Sequence, residues 1–121
     1  MRRILLVEDE DMLRTVYTRI LTTEPYQLDT AANGQEALDL CAANRYDLIL
    51  LDLMMPVVDG VGFLERYDAN DAQAAKVILL SNLSSGNELA RAISLGAHKN
   101  VLKADLSPRQ LLAMVRYEIS A

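Results

Sequence analysis

Carboxylates, a hydroxyl and an ammonium stand at the ends of four apolar runs in this chain. Ile4-Leu5-Leu6-Val7 leads into Glu8-Asp9-Glu10-Asp11, Leu48-Ile49-Leu50-Leu51 into Asp52, Val77-Ile78-Leu79-Leu80 into Ser81, and Val101-Leu102 into Lys103. Short apolar runs separated by amphipathic stretches read as the buried strands of a parallel sheet. The carboxyl ends of such strands open on one edge, where open α/β sheets bind ligands. With the first and third strands as neighbours, Glu8, Asp9 and Asp52 crowd together, and like charges so close need compensation. A divalent cation supplies it, and all-oxygen ligands suit Mg²⁺. The cluster has no His or Cys, which disfavours zinc. An aspartate there can accept a phosphoryl group as a mixed anhydride. Lys103 is a point charge suited to a phosphate, or equally to a salt bridge with Asp52. Ser81 can donate a hydrogen bond to a phosphoryl oxygen or serve an ordinary turn. Catalysis in such a site is mostly positioning and electrostatics. Glu10 and Asp11 read as solvated, with Asp11 helping to start the first helix. The sequence has no P-loop, dinucleotide-binding glycine turn or nucleophile elbow.

The segments between the runs have the pattern needed to position these groups. Met12, Leu13, Val16, Tyr17, Ile20 and Leu21 mark one helical face, stopped by 22–25. Residues 26–32 read as a short strand. Asn33 and Glu36 form a capping box for a helix to about Asn44. Residues 46–52 form the central strand, and Pro56 and Asp59-Gly60 mark the loop before a helix carrying Val61, Leu64 and Tyr67. Residues 76–80 form the fourth strand and 81–86 a loop. Ser85 and Glu88 suggest a second capping box for a helix to Leu95, with Gly96 beyond its end. Residues 99–103 form the fifth strand. Ser107-Pro108-Arg109-Gln110 starts a last helix with Leu111, Leu112, Val115 and Ile119 on its inner face. The alternation βαβαβαβαβα, with short right-handed crossovers, implies a doubly wound three-layer α/β sandwich.

A chain of 121 residues, about half of them hydrophobic, has enough apolar surface for one core without staples, so residues 1–121 read as one domain. No basic patch accompanies the net charge of −5, which argues against direct nucleic-acid binding. Cys41, the one cysteine, sits at helical spacing from Leu38 and reads as a small core residue. No intrachain disulfide can form, and the first apolar run is too short for a signal peptide or membrane span. The expectation is a cytoplasmic protein with no membrane partner and no second domain attached beyond Ala121.

With these residues in place, the sequence resembles the receiver domain of two-component response regulators (CheY-like) over essentially its whole length. The resemblance is carried by Val7-Glu8-Asp9-Glu10, Leu51-Asp52-Leu53-Met54-Met55-Pro56 with Asp59-Gly60, Leu80-Ser81, Gly96-Ala97 and Lys103. It implies a flavodoxin-like five-stranded sheet of order 2-1-3-4-5 with five flanking helices. It implies Asp52 as phosphoacceptor, with Glu8, Asp9 and the backbone carbonyl of Met54 joining Asp52 in a Mg²⁺ site. Ser81 and Lys103 become the phosphate-sensing pair. A sensor histidine kinase or phosphotransfer protein is the implied donor, and a downstream protein or attached output domain the implied receiver of the signal. The face made by the fourth helix, fifth strand and fifth helix, with Glu88, Arg91, Lys99, Asp105, Arg109 and Arg116, is expected to switch and to form homodimers or dock a partner. The same mixed charges also suit a solvated face.

The sequence departs from that family at three positions. Asn100 stands where a switch aromatic is usual, so no ring is available to follow Ser81. Ala104 replaces the usual proline after the lysine. A non-proline cis bond costs roughly 3 kcal/mol, so a trans bond with an altered loop, or a cis bond held by the site, is expected. Asn82 follows Ser81 where a small residue is common, and its amide is placed to reach the site and affect hydrolytic water. These departures keep open a phosphorylation-independent interaction module. A hydrolase with an aspartate nucleophile is disfavoured, because Met54 occupies the position where such enzymes carry a second, acid–base aspartate.

Overall fold

The computed structural model describes residues 1–83 and 85–120. Ser84, within the loop expected over 81–86, and Ala121 lie outside the described residues. The elements are β1 (Arg3–Val7), α1 (Asp11–Leu21), β2 (Gln27–Ala31), α2 (Gly34–Ala43), β3 (Leu48–Leu51), α3 (Gly60–Arg66), β4 (Lys76–Ser81), α4 (Asn87–Ser94), β5 (Lys99–Leu102), a 3₁₀ turn (Lys103–Asp105) and α5 (Pro108–Ser120). All pairings are parallel and the strand order is β2-β1-β3-β4-β5.

Alternation along the strands feeds two cores. Leu5, Val7, Ile49, Leu51, Val77 and Leu79 face Ala37, Phe63, Leu64 and Ala92, so α2, α3 and α4 cover that side. Ile4, Leu6, Leu48, Leu50, Ile78 and Leu80 face Tyr17, Leu21, Leu111 and Val115, so α1 and α5 cover the other. A sheet buried on both faces is what continuous Leu/Ile/Val runs require.

The local stop signals work largely as the sequence implies. Asn33 Oδ1 accepts from the Glu36 N–H at 2.9 Å, and Ser107 and Gln110 cap each other reciprocally. Gly96, at φ +113°, closes α4 through N–H bonds from Gly96 to the Ile93 carbonyl and from Ala97 to the Ala92 carbonyl. The Ser85 cap does not form. Gly86, at φ +112°, holds the cap position of α4 and no side chain caps it. The apolar face of α1 is narrower than its pattern: Leu13, Tyr17, Ile20 and Leu21 meet the core, whereas Met12 and Val16 are exposed. These two lie on an i, i+4 row rotated away from the sheet.

Buried Glu118, on α5, had no counterpart in the sequence reading. Its side chain sits among Lys99 Nζ (2.7 Å), Lys76 Nζ (3.5 Å) and His98 Nε2 (3.7 Å), at the edge opposite the carboxyl ends of the strands. Burial pushes its carboxyl up, but the hydrogen bond from Lys99, with the charges of Lys99 and Lys76, outweighs this and holds it below the ordinary range. A depressed carboxylate contributes stability above its unfolded pKa and loses it as pH falls through the folded value. Glu118→Gln is therefore expected to lower unfolding free energy at pH 7 by roughly 1–3 kcal/mol. The gap from the parent should shrink as pH drops below about 4. Urea unfolding at both pH values measures it, and a gap that widens in acid would contradict the assignment.

Candidate functional site

The strand register places the acids. The Glu8 N–H reaches the Ala31 carbonyl and the Asp52 N–H the Val7 carbonyl, so each residue extends its ladder by one position at the same edge. Glu8 and Asp52 are both buried, Asp9 is exposed, and one carboxylate oxygen from each lies within 4.8 Å of the others. Lys103, at the start of the 3₁₀ turn after β5, enters this cluster. Its Nζ lies 2.6 Å from Glu8 Oε1 and 3.1 Å from Asp52 Oδ2. The salt bridge read from sequence is thus present, and it includes Glu8.

One ammonium does not balance these acids. Burial raises the Glu8 carboxyl above its ordinary value despite the bond from Lys103, and the Asp52 charge adds to the rise. Asp52 is likewise raised, by burial first, with Asp9 adding to it against the pull of Lys103. Burial alone lowers the Lys103 ammonium, yet Glu8 and Asp52 more than reverse that and hold it above its usual value. The residual negative charge and all-oxygen donor set fit a hard divalent cation.

The loop after β3 is built around Asp52. The Met54 N–H donates to Asp52 Oδ1 at 3.3 Å. A Cβ on Gly60 would lie 2.6 Å from the Asp52 carbonyl oxygen and 2.7 Å from Leu53 Cα, so only glycine lets α3 begin this close to the acidic residue. Arg14 was not singled out from the sequence. It pins the acidic loop from α1, donating to the Glu8 carbonyl at 2.8 Å and pairing with Asp11 at 2.5 Å.

Ser81 is buried at the end of β4, but its hydroxyl is engaged with Asn100 Oδ1 at 3.0 Å. The bond after Lys103 is trans, since no cis peptide occurs among the described residues. The Ala104 N–H, which proline would lack, donates to Asn82 Oδ1 at 3.1 Å. The Asn82 amide oxygen thus faces the turn after Lys103. Cys41 is partly buried against the core, and desolvation pushes its thiol up to about 11, which leaves it an inert packing residue.

Residues 4–116 match the response regulator receiver domain family. The chain belongs to that family. It is 34% identical over 113 residues to a probable transcriptional regulator, ycf27, of Cyanidium caldarium, covering 93% of this chain and 44% of that protein. It is 32% identical to the transcriptional regulatory protein SrrA of Staphylococcus aureus, covering 93% of this chain and 46% of that one. The chain therefore spans about half the length, or less, of the curated relatives it matches. Among solved structures, a CheY-like receiver domain protein of Methanospirillum hungatei superposes with a TM-score of 0.89 at 25% identity, covering 99% of this chain and 94% of that one. The chemotaxis protein CheY4 of Vibrio cholerae gives 0.85 at 26% identity, covering 97% and 98%.

Raised carboxyl pKa values mean that the charged forms are disfavoured by folding. This penalty appears as pH rises through the ordinary carboxylate range. In chelator at neutral pH, Asp52→Asn is therefore expected to raise the melting temperature by a few degrees, because Lys103 keeps Glu8 as a partner. A fall would show that Asp52 is held as a net favourable ion pair.

Proposed function

We propose that this receiver domain, residues 1–121, accepts a phosphoryl group on Asp52 and relays it as a change of conformation. The observation carrying this reading is the buried Asp52 carboxylate beside Asp9 and Glu8, with Lys103 3.1 Å away. The donor is a phosphohistidine on a sensor histidine kinase or phosphotransfer protein. The P–N bond breaks with its electron pair going to the imidazole, and a P–O bond forms to an Asp52 carboxylate oxygen. Glu8, Asp9, Asp52 and the Met54 carbonyl would hold Mg²⁺, which when bound neutralises charge on the transferring group. Lys103 pairs with one phosphoryl oxygen and the Ser81 hydroxyl donates to another. The domain turns over no substrate of its own beyond gaining and losing this phosphate.

A protein donor suits the rim of the site. Met12 and Val16 on α1 and Met54 and Val57 in the loop after β3 are exposed apolar side chains flanking the acids in sequence. The signal leaves through the α4–β5–α5 face to a downstream protein, an attached output domain or a second copy, in the cytoplasm. On that face Lys99 is spent on Glu118, Arg91 pairs with Glu65 and Arg116 with Glu24, which among the described residues leaves Glu88, Asp105 and Arg109 as its candidate docking charges. No described helix is long and apolar enough to cross a membrane.

One observation favours the second reading, a phosphorylation-independent interaction module: the Ser81 hydroxyl is already occupied by Asn100. Acetyl phosphate with Mg²⁺ separates the two. Mass spectrometry is expected to show the gain of one phosphoryl group in the parent and none in Asp52→Ala. No gain from acetyl phosphate or any phosphohistidine donor would leave the module reading.

A further inference from the structure

The Asn100 side chain makes two hydrogen bonds of fixed sense. Its Nδ2 lies 2.8 Å from the Leu83 carbonyl, which can only accept. The amide oxygen must therefore face Ser81, and at 3.0 Å it is the nearer acceptor for the hydroxyl proton, the Leu83 carbonyl lying at 3.3 Å. The Ser81 oxygen in turn accepts from the Leu83 N–H at 3.1 Å. Backbone register explains the meeting. Asn100 pairs with Leu79, and Ser81 lies two positions further along β4, so both side chains leave the same face of the sheet. A serine has one proton, and in this network it is already committed.

We infer that Asn100 is a positioning residue that competes with the phosphoryl group for the Ser81 hydroxyl and thereby sets the switching equilibrium. This rests on the phosphoacceptor reading of Asp52. For Ser81 to donate to a phosphoryl oxygen, its bond to Asn100 Oδ1 must break, leaving a half-buried acceptor without a donor. An apolar side chain at this position would remove that acceptor and leave the hydroxyl only the longer contact to the Leu83 carbonyl. The phosphate's grip on the switch is reduced by the strength of the bond it must displace, since only differential contacts move a two-state equilibrium. Asn100 also holds the Leu83 carbonyl, so breaking the network frees the start of the loop between β4 and α4 together with the hydroxyl.

The test uses beryllofluoride with Mg²⁺ as a tetrahedral mimic of the acyl phosphate, its affinity measured by calorimetry on the parent, Asn100→Leu, Ser81→Ala and the double variant. Asn100→Leu is expected to bind the mimic about tenfold more tightly than the parent. In the Ser81→Ala background the same substitution should change nothing, because the contested hydroxyl is gone. Denaturant unfolding without the mimic runs alongside. A purely structural Asn100 would lower stability in both backgrounds and leave affinity unaltered, or weaken it regardless of Ser81, and either result overturns the inference. Asn100→Ala carries the same expectation if the leucine variant does not fold. Failure of the parent to bind the mimic or to gain phosphate from acetyl phosphate overturns the phosphoacceptor reading and this inference with it. Binding by the parent without the Ser81-dependent gain overturns this inference alone.

Discussion

The Lys103 ammonium, shared between Glu8 and Asp52, is the contact on which the rest of the site depends. Two carboxylates buried at a sheet edge are tolerated only with a cation between them. That cation must arrive from a distant strand, because no basic side chain on β1 or β3 is placed to supply it. The parallel sheet solves this with its register. β1 and β3 are direct neighbours and deliver Glu8 and Asp52 side by side. β5 lies two strands from β3 and hands its lysine over from the turn that follows. The pairing is incomplete: one ammonium faces three acids, and the cluster of Glu8, Asp9 and Asp52 has the donor set that could hold a metal ion.

Much of this was legible because it is written locally. Apolar runs ending on Asp52, Ser81 and Lys103 announce strands, edge and chemistry together. Asn33, Ser107 with Gln110, and Gly96 act within a turn of the chain, so their roles follow from residue type and spacing alone. Two of the misses share a physical source, which is contact between elements far apart in sequence, and a third is a local choice of backbone. Nothing near Glu118 foretells that Lys76, His98 and Lys99 will surround it, since those residues meet it only after α5 docks on the sheet. The apolar row of Met12 and Val16 has the periodicity of a core face, but which row of a helix is covered depends on the width of the sheet beneath it. Ser85 has the right spacing for a cap, yet Gly86 can adopt the left-handed backbone that the entry to α4 requires.

The departures from the usual receiver pattern also gain coherence in three dimensions. Asn100 contacts Ser81, and Asn82 contacts the backbone N–H of Ala104, an N–H that exists because this residue is not proline. Both contacts tie the end of β4 and the loop after it to β5 and the turn beyond. Polar clasps thus stand where the family usually carries an aromatic ring and a proline. A hydrogen-bonded clasp opens only when its groups find other partners, and under the proposed phosphorylation of Asp52 the tetrahedral phosphoryl group would have to compete for them.

The excess of acid over base at the sheet edge is best tested by titrating the unphosphorylated parent chain with Mg²⁺ and following backbone amide resonances. The expected result is saturable shifts concentrated at Asp9, Asp52 and Met54, abolished by Asp9→Asn. Shifts that never saturate, or that spread evenly over the acidic surface, would show that the crowded carboxylates satisfy one another through Lys103 and hold no metal.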